Sequence, residues 1–288
     1  MADRTFCAEL TGSFSTSAAQ NPTVAIMEAA FADAALDFRY INCEVPPESL
    51  ADAVRGAIAM GWRGFNCSIP HKVAVIEHLD ALAQSAEIIG AVNTVVIDRP
   101  EGGPRLTGEN TDGQGFVASL LPVRDPAGQH VVILGAGGAA RAIAVETALA
   151  GALSITIVNR TPERGQTVAD LIDAQTPAAG RYLPWTPQLH VPHGTGVLIN
   201  ATSIGFHPNE AETPDVDFES IDPGTVVADV VVNPPETNFL KAAAARGCTT
   251  LDGLGMLVNQ ALINARLWTG RDLSSAVMRR ELEEIFGL

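Results

Sequence analysis

Val131–Arg141 reads VVILGAGGAAR. The apolar run Val131-Val132-Ile133-Leu134 ends in a glycine turn, and an alanine-rich, helix-forming stretch follows at once. Such a run suits a strand buried on both faces, as the strands of a parallel sheet are. Gly135-x-Gly137-x-x-Ala140 then matches the dinucleotide fingerprint. The first glycine makes the tight turn, the second lets a pyrophosphate approach the backbone, and the small third residue lets helix pack on strand. Gly135, Ala136, Gly137, Gly138 and Ala139 would form the phosphate loop, at a helix N-terminus with free N–H groups and a partial positive charge. An ordinary strand–helix turn can carry the same residues, so the surroundings decide. A second strand, Ser154–Val158, ends in Asn159-Arg160-Thr161, about 24 residues after Gly135, where such a fold meets the adenosine ribose. NAD sites usually place an acid there to hold the 2′-hydroxyl, whereas an arginine accommodates a 2′-phosphate. Arg160, with Arg164 one turn on, therefore argues for NADP over NAD, the alternative being plain surface arginines.

The remainder of the composition narrows the class. The 288 residues allow one large domain or two smaller ones, each with its own core. A net charge of −15 argues against nucleic acid and anionic membranes as partners, and makes the scarce basic residues more informative. No apolar run reaches transmembrane length, and Met1-Ala2-Asp3-Arg4 leads into no signal-peptide core. Cys7, Cys43, Cys67 and Cys248 are far apart, with no metal-type or redox-type spacing. They read as reduced thiols of a cytoplasmic protein. No metal site is expected.

Taken in order, residues 5–10 read as a first strand, followed by a polar stretch, Thr11–Asn21. Pro22 opens a helix whose buried face would carry Val24, Met27, Phe31, Ala34 and Phe38. Arg39–Val45 reads as a strand, Leu50–Met60 as a helix and Phe65–Ile69 as a short strand. Pro70 begins a helix running to about Ile89, and Val92–Val96 and Arg105–Gly108 flank a Pro/Gly-rich turn. After the fingerprint, strands are expected at Ser154–Val158, Arg181–Leu183, Val197–Asn200 and Val226–Val231, with helical stretches between, which is the rhythm of a parallel sheet. The loop Phe206–Glu219 is acidic and proline-containing, and reads as exposed. From Gly253 onward the pattern is helical and no further strand is expected. The fold class is α/β with two domains and a cleft between them. A mixed α/β substrate domain (1–114) is completed by C-terminal helices (253–288), and a mostly parallel Rossmann domain (115–252) binds the dinucleotide.

Several stretches carry chemistry. In GFNCSIPHK (64–72), Ser68 can cap a helix with Pro70 in its first turn, which puts Lys72 near the helix N-terminus. A positive charge is disfavoured there, so Lys72 is a candidate proton carrier with a lowered pKa, or else a solvated lysine. Asn93 in AVNT and Asp112 in GENTDG lie in turn-like contexts that turn chemistry alone would explain. Together with Lys72 they supply a cation, a carboxylate and an amide able to bind hydroxyls and orient the lysine. Met256 and Gln260 are one helical turn apart, and Gln260 reads either as a hydroxyl ligand or as a surface residue. His71 reads as structural.

The ordered motifs GFNCSIPHK, IGAVNT (89–94), GENTDG, GAGGAAR, VNRT (158–161), NATSIGF (200–206) and DGLGMLVNQ (252–260) resemble the shikimate/quinate dehydrogenase family along nearly the whole chain. The resemblance implies an α/β substrate domain completed by C-terminal helices, an NADP-binding Rossmann domain, and reversible hydride transfer between NADP(H) and a ring alcohol or ketone. By resemblance Lys72 and Asp112 form the catalytic pair. Asn66, Ser68 (usually Thr), Asn93 and Gln260 would hold substrate hydroxyls. Asn159, Arg160, Thr161 and Arg164 match the adenosine-phosphate clamp, and Thr202, Val230, Gly253 and Met256 match positions near the nicotinamide half. The family's biosynthetic members serve aromatic amino acid synthesis.

One end of the substrate site departs from the family. Counting back from Pro22, Ala19 and Asn21 stand where the family carries the two serines of Ser-x-Ser-Pro, which hold the substrate carboxylate. Ser13, Ser15 and Ser17 lie several residues early, and Ser15 and Ser17 would serve only through a rearranged loop. Val232 stands where the family has a tyrosine that also helps bind that carboxylate. Each lost partner leaves an ionised group poorly compensated, at about 1–3 kcal/mol. The expectation is a divergent relative acting on shikimate weakly, or on another cyclic polyol, as monomer or homodimer. The alternative is a non-catalytic ligand sensor on the same fold.

Overall fold

A computed structural model describes residues 7–288. The chain order is β1 (Glu9–Ser15), α1 (Thr23–Asp33), β2 (Phe38–Glu44), α2 (Leu50–Ala59), β3 (Gly64–Cys67), α3 (His71–Ala74), β4 (Ala81–Leu82), α4 (Gln84–Ile89), β5 (Thr94–Asp98) and β6 (Arg105–Glu109). It continues with α5 (Thr111–Leu120), β7 (His130–Leu134), α6 (Gly138–Leu149), β8 (Ser154–Asn159), α7 (Pro162–Gln175), β9 (Ala179–Pro184), β10 (Leu189–His190) and β11 (Val197–Asn200). The last elements are β12 (Val216–Asp217), β13 (Val226–Asp229), α8 (Asn238–Ala245), β14 (Thr249–Leu251), α9 (Gly253–Thr269) and α10 (Ser275–Phe286). Two compact units result, one from the chain up to Thr111 together with Gln260–Leu288, the other from Asp112–Asn259.

The first unit holds a six-stranded mixed sheet in the order β2-β1-β3-β5-β6-β4. β1 is parallel to β2 and β3, whereas β5 is antiparallel to β3 and to β6. Phe14, Leu50, Val54, Trp62, Phe65, Val75, Val95 and Ile97 build its core, with Phe14 stacked on Phe65 at 4.4 Å. The end of α9 seats here, Trp268 donating to Val95 O at 3.0 Å.

Three expectations change. The first strand runs from Glu9 to Ser15, so Thr11-Gly12-Ser13-Phe14-Ser15 is buried strand and not polar loop; residues 5 and 6 of the expected strand lie outside the described residues. Its polar side chains alternate with Gly12 and Phe14, and a Cβ on Gly12 would meet Ile41 O at 2.2 Å, which is how closely β2 approaches. Phe38 starts β2 and does not extend the buried face of α1, which consists of Thr23, Ile26, Met27, Ala30 and Phe31. The helix expected from Pro70 to Ile89 is broken. Asp80 N donates to Leu106 O and its carboxylate accepts from Leu106 N, and Leu79 and Leu82 lie over Gly108, so β6 draws the segment into a short strand.

The second unit is a six-stranded sheet, β14-β13-β11-β7-β8-β9, parallel throughout. The apolar runs of β7, β11 and β13 make its middle, as expected for strands covered on both faces. β14 was not expected, because it is an edge strand with two exposed threonines and no apolar pattern. The loop 206–219 includes β12, which pairs with β10 and buries Val216. The strand order reverses between β7 and β11, and in open α/β sheets ligands bind outside the carboxyl ends of the strands at such a reversal.

Candidate cofactor and substrate sites

In the second unit, the fingerprint occupies that reversal. Gly135 has φ +107°, a conformation that favours glycine, and a Cβ there would come within 3.0 Å of Ala201 O and of Thr202 Cγ2. The loop after β11 therefore lies directly against the glycine turn. Gly137 and Gly138 are exposed, and a Cβ on either would meet nothing within 4 Å. Gly137 caps α6 with no side-chain cap bond, so the first turn presents backbone N–H groups to a phosphate. A dinucleotide pyrophosphate fits this loop.

Beside it, Asn159 Nδ2 donates to Thr161 O at 2.8 Å, and Tyr182 OH donates to Asn159 O at 3.2 Å. These bonds set the turn from which exposed Arg160, Thr161 and Arg164 project at the start of α7. Such cations on an acidic chain suit an adenosine 2′-phosphate. At the far side, a Cβ on Gly253 would sit 2.4 Å from Val231 O, so the start of α9 packs against Val230 and Val231. Met256 follows one turn later on α9, half-buried.

Beneath these loops lies a group that the sequence reading passed over. Asp229 at the end of β13 is register partner to Asn200 at the end of β11. Its Oδ1 accepts from Asn200 Nδ2 and Val231 N, each at 3.0 Å, and its Oδ2 from Thr237 Oγ1 at 2.7 Å. Burial pushes its pKa up to about 6, while the bonds from Thr237, Val231, Asn200 and Val230 pull it down. Asn200 Oδ1 in turn accepts from Thr202 N and Oγ1.

In the first unit, a polar row crosses the sheet. Asn42 on β2 pairs with Ser13 on β1, Ser13 with Asn66 on β3, Asn66 with Thr94 on β5, and Thr94 with Glu109 on β6. Register partners share a face, and the bonds follow. Ser13 Oγ donates to Asn42 Oδ1 at 2.8 Å and accepts from Asn21 Nδ2 at 3.3 Å. Tyr40 OH donates to Asn66 Oδ1 at 2.7 Å, and both Asn66 amide hydrogens go to Asn93 O and Thr94 Oγ1. Asn42 Nδ2 donates to Asn21 O, and Asn21 Oδ1 accepts from Thr23 N. Burial raises the Tyr40 phenol well above its usual range, so it is a neutral donor.

The predicted substrate residues are placed as follows. Asn66 and Asn93 are buried, and Asn93 Oδ1 accepts from Thr111 N at 2.7 Å at the start of α5, next to Asp112. Asn264, fully buried, accepts from Thr94 and Thr111 and donates to Gln260 Oε1 at 3.1 Å, tying the Gln260 carbonyl and leaving its amide nitrogen outside that bond. Gln260 is thus a buried residue of α9 and not a surface one. Ser15 Oγ donates to Ile69 O at 3.4 Å and accepts from Ser17 N, whereas Ser17 itself is exposed. The Ser68 side chain does not cap α3; its backbone carbonyl accepts from His71 N instead. Since α3 spans His71–Ala74 only, the dipole argument for Lys72 loses its basis, and Lys72 stands half-buried on a single turn. His71 is structural: buried, its Nε2 donates to Val45 O at 2.7 Å. Tyr40, Asn42, Thr94, Thr111, Asn264 and Asp229 were missed. The detectable signal was the alternation of Thr11, Ser13 and Ser15 with Gly12 and Phe14, and of Tyr40 with Asn42, on paired strands.

A glycine turn with exposed Arg160 and Arg164 near it, joined in one chain to a unit with a polar sheet face, fits an NADP-dependent oxidoreductase. Comparison with known proteins gives the family. The model described as "Shikimate dehydrogenase substrate binding domain" matches residues 16–95, "Shikimate / quinate 5-dehydrogenase" matches 120–184, and "Shikimate 5'-dehydrogenase C-terminal domain" matches 253–283. The shikimate dehydrogenase (NADP(+)) of Moorella thermoacetica is 44% identical over 263 residues, 90% of this chain and 87% of its own. A crystal structure of ligand-free 5-ketofructose reductase of Gluconobacter sp. strain CHM43 is 60% identical with a TM-score of 0.94, covering 98% of this chain and 100% of that one. Shikimate 5-dehydrogenase from Listeria monocytogenes, in complex with shikimate and NAD, is 33% identical with a TM-score of 0.90, covering 98% and 99%. The chain belongs to the shikimate dehydrogenase family. It is an NADP-dependent oxidoreductase acting on a CH–OH group or the corresponding ketone, and no finding supports a non-catalytic sensor. Among the described residues no helix is long and apolar enough to cross a membrane.

Proposed function

We propose that the chain reduces a neutral ketose of the 5-ketofructose type with NADPH, in preference to a ring that bears a carboxylate. The observation that carries this reading is the neutral cluster Ser13, Asn21, Tyr40, Asn42 and Asn66. Its hydroxyl hydrogens are already given to Asn42 and Asn66, and both Asn66 amide hydrogens are taken. An ionised carboxylate brought here finds no cation among these five residues and hydroxyls whose protons are already committed, at about 1–3 kcal/mol per missing partner. A sugar hydroxyl both donates and accepts, so it can join such a cluster without a charge to compensate. By the family resemblance Val232 stands in the place of a tyrosine that helps bind the carboxylate, so this chain lacks that donor as well. The identity of 60% to a 5-ketofructose reductase, against 33% to a shikimate-bound dehydrogenase, supports the same substrate class.

In this reading the first unit binds the ketose and the second binds the dinucleotide. Gly135, Ala136, Gly137, Gly138 and Ala139 would hold the pyrophosphate, and Asn159, Arg160, Thr161 and Arg164 the adenosine phosphate. Thr202, Val230, Gly253 and Met256 would flank the nicotinamide half. NADPH, when bound, supplies the hydride. Lys72 delivers the proton to the carbonyl oxygen, which becomes the new hydroxyl, with Asp112 as its carboxylate partner in the catalytic pair that the family resemblance implies. Asn93, Gln260, Asn66 and Ser68 recognise the remaining hydroxyls, with Ser15 and Ser17 at the altered end. The described cysteines are free thiols, which fits the cytoplasm, and the protein works as a monomer or homodimer.

The test compares kcat/KM for 5-ketofructose with NADPH against that for shikimate and for quinate with NADP⁺. A preference of about 100-fold or more for the ketose is expected if two or more carboxylate partners are missing. Efficient saturable turnover of shikimate, with none of 5-ketofructose, would overturn the proposal.

A further inference from the structure

The geometry points to Asp229 as a positioning residue that holds the loops after β11 and β13 in the shape the nicotinamide end of the cofactor requires. The inference rests on reading Thr202, Val230 and Gly253 as cofactor positions. Asp229 reaches them through other groups. Its Oδ1 holds Asn200 Nδ2, and Asn200 Oδ1 holds Thr202 N at 3.2 Å and Thr202 Oγ1 at 2.7 Å. Thr202 Oγ1 then accepts from Ile204 N at 3.1 Å, closing the loop 201–204. The same Oδ1 holds Val231 N, and Oδ2 holds Thr237 Oγ1, which also caps α8 by accepting from Leu240 N. One carboxylate thus fixes both loops. These are the loops that press on Gly135 through Ala201 and Thr202, and on Gly253 through Val230 and Val231.

A buried acid is a costly way to hold loops together, and an amide would be the cheaper choice. Asparagine cannot do the same work, because it offers one acceptor oxygen where three donors converge, and its NH₂ would face a donor. Thr237 could turn its hydroxyl away only by leaving it without its present acceptor. The groups facing Asp229 are Asn200 on β11, Thr237 at the entry to α8, and Val230 and Val231 on its own loop, all neutral. The acid beside Gly253, Asp252, is bonded to Gly255 N at 3.2 Å. Asp229 therefore depends on its hydrogen bonds, with no cation among these neighbours, and its ionised form is only moderately favoured near neutral pH, its pKa standing at about 6.

The experiment is fluorescence titration of NADPH into the full-length wild type, Asp229→Asn and Thr237→Val between pH 5 and pH 8, with KM for the ketose measured alongside. The wild type is expected to bind NADPH more weakly below about pH 6, as the carboxylate protonates. Asp229→Asn is expected to bind about tenfold more weakly at pH 8, with the ketose KM nearly unchanged. Its fall below about pH 6 is expected to be smaller, keeping only the part that the cofactor's 2′-phosphate contributes by protonating at about pH 6 itself. Thr237→Val removes a donor to the carboxylate, so the pH at which affinity falls moves upward. A purely structural role would lower the melting temperature of these variants without moving the pH profile. Wild-type NADPH affinity in Asp229→Asn at every pH overturns the inference. If Asp229→Asn does not fold, an unmoved pH profile in Thr237→Val overturns it equally. Failure of the wild type to bind NADPH at any pH would instead overturn the cofactor reading beneath it.

Discussion

Ser13 and Asn42 face each other across the parallel strands β1 and β2, and the Ser13 hydroxyl donates to Asn42 Oδ1 at 2.8 Å. A serine whose proton is committed to an amide oxygen, and whose lone pair takes an Asn21 hydrogen, is a poor ligand for an anion. The same holds for Tyr40 on β2 and Asn66 on β3, the strands either side of β1. The Ser13, Asn21, Tyr40, Asn42 and Asn66 part of that polar face is therefore built from neutral groups that bond largely to one another.

Tyr40→Phe removes the donor to Asn66 Oδ1 in a fully buried setting. A buried acceptor left unpaired costs about 1–3 kcal/mol. Urea unfolding should show the first unit weakened by that amount, and kcat/KM for the ketose should fall because Asn66 is free to turn. Unchanged stability would show that Asn66 finds another partner.

Lys72→Ala should lower kcat by about 10²–10⁴ with a KM for the ketose within a few-fold of wild type, as loss of a general acid does. Initial rates of NADPH oxidation measure both. A variant with nearly wild-type kcat would take the proton-transfer role from Lys72.

Arg160→Asp exchanges the residue that suits a 2′-phosphate for one that suits a 2′-hydroxyl. The KM for NADPH should rise about tenfold or more, as a charge-assisted bond is worth about 1.5–3 kcal/mol, and the KM for NADH should fall. Equal effects on the two cofactors would mean that Arg160 does not read the phosphate.

Asp229 also sets a stability profile. Its folded pKa of about 6 lies above the ordinary aspartate value near 4, so the folded state holds a proton that the unfolded chain has already released. Its contribution to stability therefore declines as pH rises from about 4 to about 6, and above that the buried charge costs about 3 kcal/mol, at 1.36 kcal/mol per pKa unit. The difference in unfolding free energy between wild type and Asp229→Asn should favour the wild type more at pH 4 than at pH 7. A difference independent of pH would place the Asp229 pKa at its ordinary value.

The parallel sheet of the second unit was legible because β7, β11 and β13 are short apolar runs, and the glycine turn marks the loop that follows β7. The first unit was harder to read. Thr11, Ser13 and Ser15 look like loop residues, yet they alternate with Gly12 and Phe14 as a strand does, with polar side chains buried because each donates to a neighbouring segment, to Arg39 O, Asn42 Oδ1 and Ile69 O. The segment 70–89 reads as one helix locally. It breaks because Asp80 and Leu82 pair with β6, a partnership made by residues some 25 positions away. Of the candidate functional residues, the motifs pointed to Lys72, Asn93, Asp112 and Gln260. Asp229 was silent, because an acid at a strand end looks exposed until Asn200 and Thr237 are seen to enclose it. Asn264 was silent for a similar reason: nothing in its helix spacing reveals that it meets Thr94 and Thr111.

The most direct test of the central claim, that charge and not ring shape excludes a carboxylate ligand, compares shikimate with its carboxamide as inhibitors of NADPH-dependent 5-ketofructose reduction. The two differ by one charge at nearly constant size. The account predicts that the neutral carboxamide inhibits at a concentration about tenfold or more below that of shikimate, each unmet carboxylate partner being worth about 1–3 kcal/mol. Shikimate inhibiting as well as its carboxamide, or better, would contradict it.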